Sequence, residues 1–150
     1  MSELRELYQQ LILDHNKSPR NFGDLPDANR SSEGHNPLCG DHIKVAVKLS
    51  EDLIEEIAFL GSGCAISKAS ASMMTAEVKG KTIEEVETIF RDFQSMVTSD
   101  ITTQPETDHM GKLAVFSGVR EFPARIKCAT LSWHTLHAAL GGDDQSVTTE

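Results

Sequence analysis

No apolar run in this chain approaches the roughly 20 residues that a membrane-spanning helix needs, so no span is expected. A basic stripe is missing too. Lys and Arg number 14 against 23 Asp and Glu, a formal net charge of −9. Phosphate backbones are held by clustered positive charge, so this balance argues against a nucleic-acid partner. A protein partner is expected to present some basic surface. The opening residues, Met1-Ser2-Glu3-Leu4-Arg5-Glu6, have the layout of neither a secretory signal nor an Arg-rich transit peptide. Gly-x-Ser-x-Gly elbows, Walker-type loops and dinucleotide fingerprints are absent. Gly61-Ser62-Gly63-Cys64 lacks the third glycine and the βαβ setting that such a fingerprint needs. There is no internal repeat and no low-complexity stretch. Cysteine is scarce: three residues, an odd number that cannot close a disulfide framework. Unpaired thiols of this kind suit a reducing cytoplasm.

What remains is an ordinary globular composition, 39% hydrophobic and 25% charged, in a length that suits one domain over 1–150. Leu4, Leu7, Tyr8 and Leu11 recur at helical spacing, and Pro19 should end that helix. From Asn16 to Asp41 the residues turn to Asn, Pro, Gly, Ser and Asp, which reads as a long irregular segment. Ile43, Val45, Val47 and Leu49 alternate with polar neighbours as in a half-buried strand. Glu51-Asp52 is a turn, and 54–60 the returning antiparallel strand. Helices are expected over 65–79, closed by Gly80, and from the Thr82/Glu85 capping box to about Val97. The pattern weakens over 99–121, where 113–119 reads as a short helix or a loop. A last helix runs from about Ala129 to Leu140 before Gly141-Gly142, and the polar tail 143–150 should fray. The order gives an α+β domain: a small antiparallel sheet of about three strands with helices packed on one face.

The three cysteines have distinct settings. Cys39 lies in Asn36-Pro37-Leu38-Cys39-Gly40-Asp41, a tight loop with a carboxylate two residues on. Cys64 and Cys128 each read as lying just before a helix, where the dipole and open N–H groups favour thiolate. Arg125 and Lys127 push the same way at Cys128. Three thiols and one acid could complete a four-ligand metal site. Isolated cysteines also pack as small hydrophobes, and spacing alone leaves both readings open. The histidines are assigned no chemistry. His134 and His137 share a solvated helix face, His42 points outward from a strand end, and His15, His35 and His109 fall in loops. Met73-Met74 are read as core or groove packing and Trp133 as a core anchor.

Taken together, these three cysteine contexts, including Pro123-Ala124-Arg125-Ile126-Lys127-Cys128-Ala129-Thr130, resemble the NifU N-terminal/IscU-like family of iron–sulfur cluster assembly proteins, in its SufU branch. The resemblance runs from the Tyr8–Asn21 stretch through Leu140. Lys127 stands where IscU scaffolds carry a histidine, and their Leu-Pro-Pro-Val-Lys chaperone motif is missing. The resemblance implies a zinc site of Cys39, Asp41, Cys64 and Cys128; Arg125 is a candidate partner that would steady Asp41. The resemblance also implies that Cys39 accepts persulfide sulfur from a SufS-type cysteine desulfurase and passes it to a downstream Suf cluster scaffold. In that scheme zinc keeps Cys39 deprotonated until a desulfurase ligand displaces it. Two alternatives stay open: a scaffold on which a cluster is built, and a non-catalytic zinc-stabilised adaptor.

Overall fold

The computed structural model describes residues 2–100, 102, 110–142 and 147–148. Its elements are α1 (Ser2–Lys17), β1 (Arg30–Asn36), β2 (Asp41–Ser50), β3 (Leu53–Ser62), α2 (Ala65–Val78), α3 (Ile83–Thr98), a 3₁₀ segment (Gly111–Glu121), α4 (Pro123–Leu140) and β4 (Val147–Thr148). The sheet order is β3-β2-β1-β4; β1, β2 and β3 are antiparallel and the short β4 runs parallel to β1. This is the expected α+β architecture, a three-stranded antiparallel sheet with helices.

The alternation read in β2 decides which face is covered. Ile43, Val45 and Val47 are fully buried, as are Ile57 and Phe59 from β3. Trp133 of α4 stacks on Phe93 of α3 at 4.9 Å between ring centres. Each such side chain contributes about 1.5–3 kcal/mol relative to exposure, which makes this cluster the main source of stability. Met73, Met74 and Trp133 lie in the core as expected. The Thr82/Glu85 capping box forms in full at the start of α3. Along α1, Tyr8 and Leu11 pack on the core, whereas Leu7 stays exposed.

Four expectations needed correction. The irregular segment contains a strand, β1, whose inward residues are Ser32, Gly34 and Asn36 rather than large hydrophobes. The reason is close packing: a Cβ on Gly34 would collide with Thr135 Oγ1 of α4. The last helix begins at Pro123, about two turns earlier than read, because proline at the first position is pre-set for helix. His15 belongs to α1 and His35 to β1, while His109 lies outside the described residues. Val147–Thr148 pair with β1 where fraying was expected; the rest of that tail is outside the described residues.

Candidate metal and thiol centre

The β1–β2 hairpin delivers the first part of the site. Asn36 ends β1, Asp41 begins β2, and the two are register partners. Between them the chain turns with Cys39 N–H on Asn36 O at 3.3 Å and Gly40 at φ 71°, a left-handed conformation that glycine adopts without strain. Cys39 is therefore presented at the surface, whereas Asp41 is only 2% exposed.

Cys64 arrives from the end of β3 as the N-cap of α2. Its sulfur accepts the Ser67 N–H at 3.4 Å, and its own N–H donates to Asp41 Oδ1 at 2.9 Å. Gly63 makes this approach possible, since a Cβ there would strike Asp41 Oδ1. Cys128 comes from the second turn of α4 and is buried. Asn36 Nδ2 bridges the parts, donating to Asp41 Oδ2 at 3.1 Å and to Cys128 Sγ at 3.4 Å.

One ligand atom each from Cys39, Asp41 and Cys128 lie within 4.8 Å of one another. The structure thus brings together three of the four expected donors, with Cys64 outside that set but tied to Asp41 through its backbone. Arg125 is placed differently from expectation. Its guanidinium lies over the Phe122 ring at 4.9 Å, and no ion pair to Asp41 occurs among the described residues. Asn36 takes the partner role instead. Neutral Asn can donate to carboxylate and thiol together; its short side chain is already inside the fold.

The electrostatic expectation for Cys128 also reverses. Because α4 starts at Pro123, Cys128 is past the open N–H groups of the first turn. Burial pushes its thiol far above the ordinary value, and the Asp41, Cys39 and Cys64 side chains beside it add to the effect. A buried acid beside a buried thiol, with no ion pair to a cationic side chain among the described residues, is a costly grouping on its own. The buried Asn36 Oδ1 also lacks a hydrogen-bond partner among the described residues. Sulfur and carboxylate donors gathered in this way fit a divalent ion of the zinc class.

His15, His134 and His137 take structural roles. His15 Nδ1 meets Ser72 Oγ at 2.7 Å, His134 packs edge-on to Phe90, and His137 Nδ1 contacts Glu87 Oε1 at 2.8 Å. Sequence reasoning missed Asn36 and Gly63. Only their places beside the motif cysteines signalled them.

Comparison with known proteins matches the NifU-like N terminal domain to residues 7–129. The chain belongs to the NifU N-terminal, IscU-like family of iron–sulfur cluster assembly proteins. It is 42% identical to the zinc-dependent sulfurtransferase SufU of Bacillus subtilis over 95% of each chain. It is 43% identical to the iron–sulfur cluster assembly scaffold protein IscU of Streptococcus pyogenes, over 93% of this chain and 86% of that one. Among solved structures, FiSufU of Fervidobacterium islandicum AW-1, described as a scaffold protein for the SUF system, superposes with a TM-score of 0.80 at 31% identity. That match covers 87% of this chain and 94% of the other. In this member of the NifU/IscU-like family, no described helix is long and apolar enough to cross a membrane.

Proposed function

We propose that this protein is a zinc-dependent sulfurtransferase of iron–sulfur cluster assembly, accepting sulfur on Cys39 from a SufS-type cysteine desulfurase. The observation that carries this reading is the unequal exposure of the three cysteines. Cys39 is exposed, Cys64 half-buried and Cys128 buried, all around one buried carboxylate. One sulfur can meet a partner while the others stay anchored.

Cys39, Asp41, Cys64 and Cys128 would hold the zinc. Bound there, the ion would keep its thiols deprotonated at neutral pH. In the transfer, the Cys39 thiolate attacks the terminal sulfur of the desulfurase persulfide. A new S–S bond forms on Cys39 Sγ, the enzyme's S–S bond breaks, and the enzyme cysteine leaves as thiolate. The persulfide on Cys39 then passes to a downstream Suf scaffold. Asn36 and the Cys64 N–H hold Asp41 throughout. Exposed Leu38, next to Cys39, supplies apolar surface for docking. The site of action on this reading is the cytoplasm.

The 43% identity to a scaffold protein supports a second reading, in which a cluster is built on the same residues. A cysteine desulfurase assayed for alanine release, with zinc-loaded protein added, separates the two. Faster turnover with one sulfur added at Cys39, lost in Cys39→Ser, is expected. No stimulation and no persulfide would reject sulfur transfer; a coloured cluster after anaerobic reconstitution would then favour the scaffold.

A further inference from the structure

The outer face of the β1–β2 hairpin carries a second cluster of metal-ligating side chains that the thiol centre does not use. His35 and His42 are directly opposed in the antiparallel register, and their rings stack at 4.4 Å with 6° between planes. Glu33 stands two residues back along β1, hence on the same face and diagonal to His42. Its Oε2 is 3.5 Å from His42 Nε2. One ligand atom from each of the three residues lies within 4.8 Å of the others. Asn36 and Asp41, the next residues along the two strands, face inward, so this cluster and the thiol centre occupy opposite sides of one hairpin end.

Two observations set this cluster apart from the other exposed polar side chains. His42 Nε2 is shielded from solvent yet has no hydrogen-bond partner among the described residues. The Glu33–His42 separation is also not that of a closed ion pair. His137 and Glu87 do close, to 2.8 Å. By contrast, donors sharing a tetrahedral ion with bonds of about 2.1 Å stand about 3.4 Å apart, close to the distance seen here. Lys44 is directly opposite Glu33 but makes no ion pair with it among the described residues.

We propose that Glu33, His35 and His42 form a second cation site, for a divalent first-row transition ion. Two imidazoles and a carboxylate, with positions left for water, select this class over magnesium or calcium. Parallel rings direct their lone pairs side by side, so binding opens the stack by turning His35 about χ2. His35 is exposed. The assignment is independent of the sulfur-transfer reading.

Anaerobic Co2+ titration of the full chain in a non-thiol reductant tests it, read by absorption and by NMR of the histidine rings. Two equivalents are expected. One brings a thiolate-to-cobalt band; the other adds only weak visible bands and shifts the rings of His35 and His42. Glu33→Gln, His35→Gln and His42→Gln should each weaken the second equivalent about tenfold or more and leave the thiolate band intact. A total of one equivalent, or a second that survives all three variants, would overturn the site. Loss of the thiolate band with the second spectrum retained would count against the thiol centre alone.

Discussion

Replacing Asn36 with Ala tests whether this residue, and not Arg125, supports the acid at the thiol centre. Asn36 is completely buried and its Nδ2 donates to both Asp41 Oδ2 and Cys128 Sγ. A hydrogen bond to a charged acceptor is worth about 1.5–3 kcal/mol and a neutral one about 0.5–1.5 kcal/mol. Losing both should therefore cost about 2–4 kcal/mol, placing Asn36→Ala among the more damaging single substitutions. For a chain of 150 residues, 3 kcal/mol corresponds to a fall in Tm of roughly 6–12 °C. The measurement is guanidinium and thermal unfolding of the metal-free chain in a non-thiol reductant, so that bound ion does not mask the change. Asn36→Asp is the companion variant. It sets a second carboxylate beside Asp41, so like-charge repulsion should make it less stable than the parent, and protonation should narrow that deficit as pH falls. Stability of Asn36→Ala within about 0.5 kcal/mol of the parent would refute the assigned role.

Gly63→Ala should lose at least about 2 kcal/mol in the same unfolding assay, because its Cβ would collide with Asp41 Oδ1 and its φ is 152°; a neutral result would mean that α2 can shift away cheaply. Asp41→Ala should lower zinc retention about tenfold or more in competition with a chromophoric chelator; unchanged retention and unchanged sulfur transfer would remove the carboxylate from the donor set. Burial first, and Arg20 second, hold the His15 pKa below its ordinary 6.5. The folded state thus keeps His15 neutral while the unfolded chain takes a proton, so stability should decline as pH falls through about 6.5. Urea unfolding at several pH values should show a shallower decline for His15→Gln than for the parent; an equal slope would place the titration elsewhere.

The large side chains made most of the fold legible. Alternation of Ile43, Val45 and Val47 marks β2, and the Thr82/Glu85 pair marks the start of α3. β1 was hidden because its inward positions are small or polar, shaped by the closeness of α4 rather than by hydrophobic demand. The start of α4 was hidden because the apolar positions that mark the helix begin only at Ala129, after its first turns from Pro123. At the site, the cysteines and Asp41 announce themselves by residue type. Asn36 does not, since a buried asparagine that bridges an acid and a thiol looks in sequence like any turn-flanking asparagine. The Arg125 reading failed because nearness in sequence to Cys128 says nothing about direction, and on α4 the guanidinium lies over Phe122.

Two contacts at the thiol centre join distant parts of the chain: Cys64 N–H reaches back 23 positions to Asp41, and Asn36 reaches forward 92 to Cys128. During biosynthesis the hairpin and α2 leave the ribosome well before α4 does. A nascent chain halted before Pro123 holds Cys39, Asp41 and Cys64 but lacks the helix that walls them in. On the zinc reading, Cys128 joins Cys39, Asp41 and Cys64 only once α4 has docked. On that reading, an ion held by all four residues can bind only after α4 has packed against the hairpin and α2.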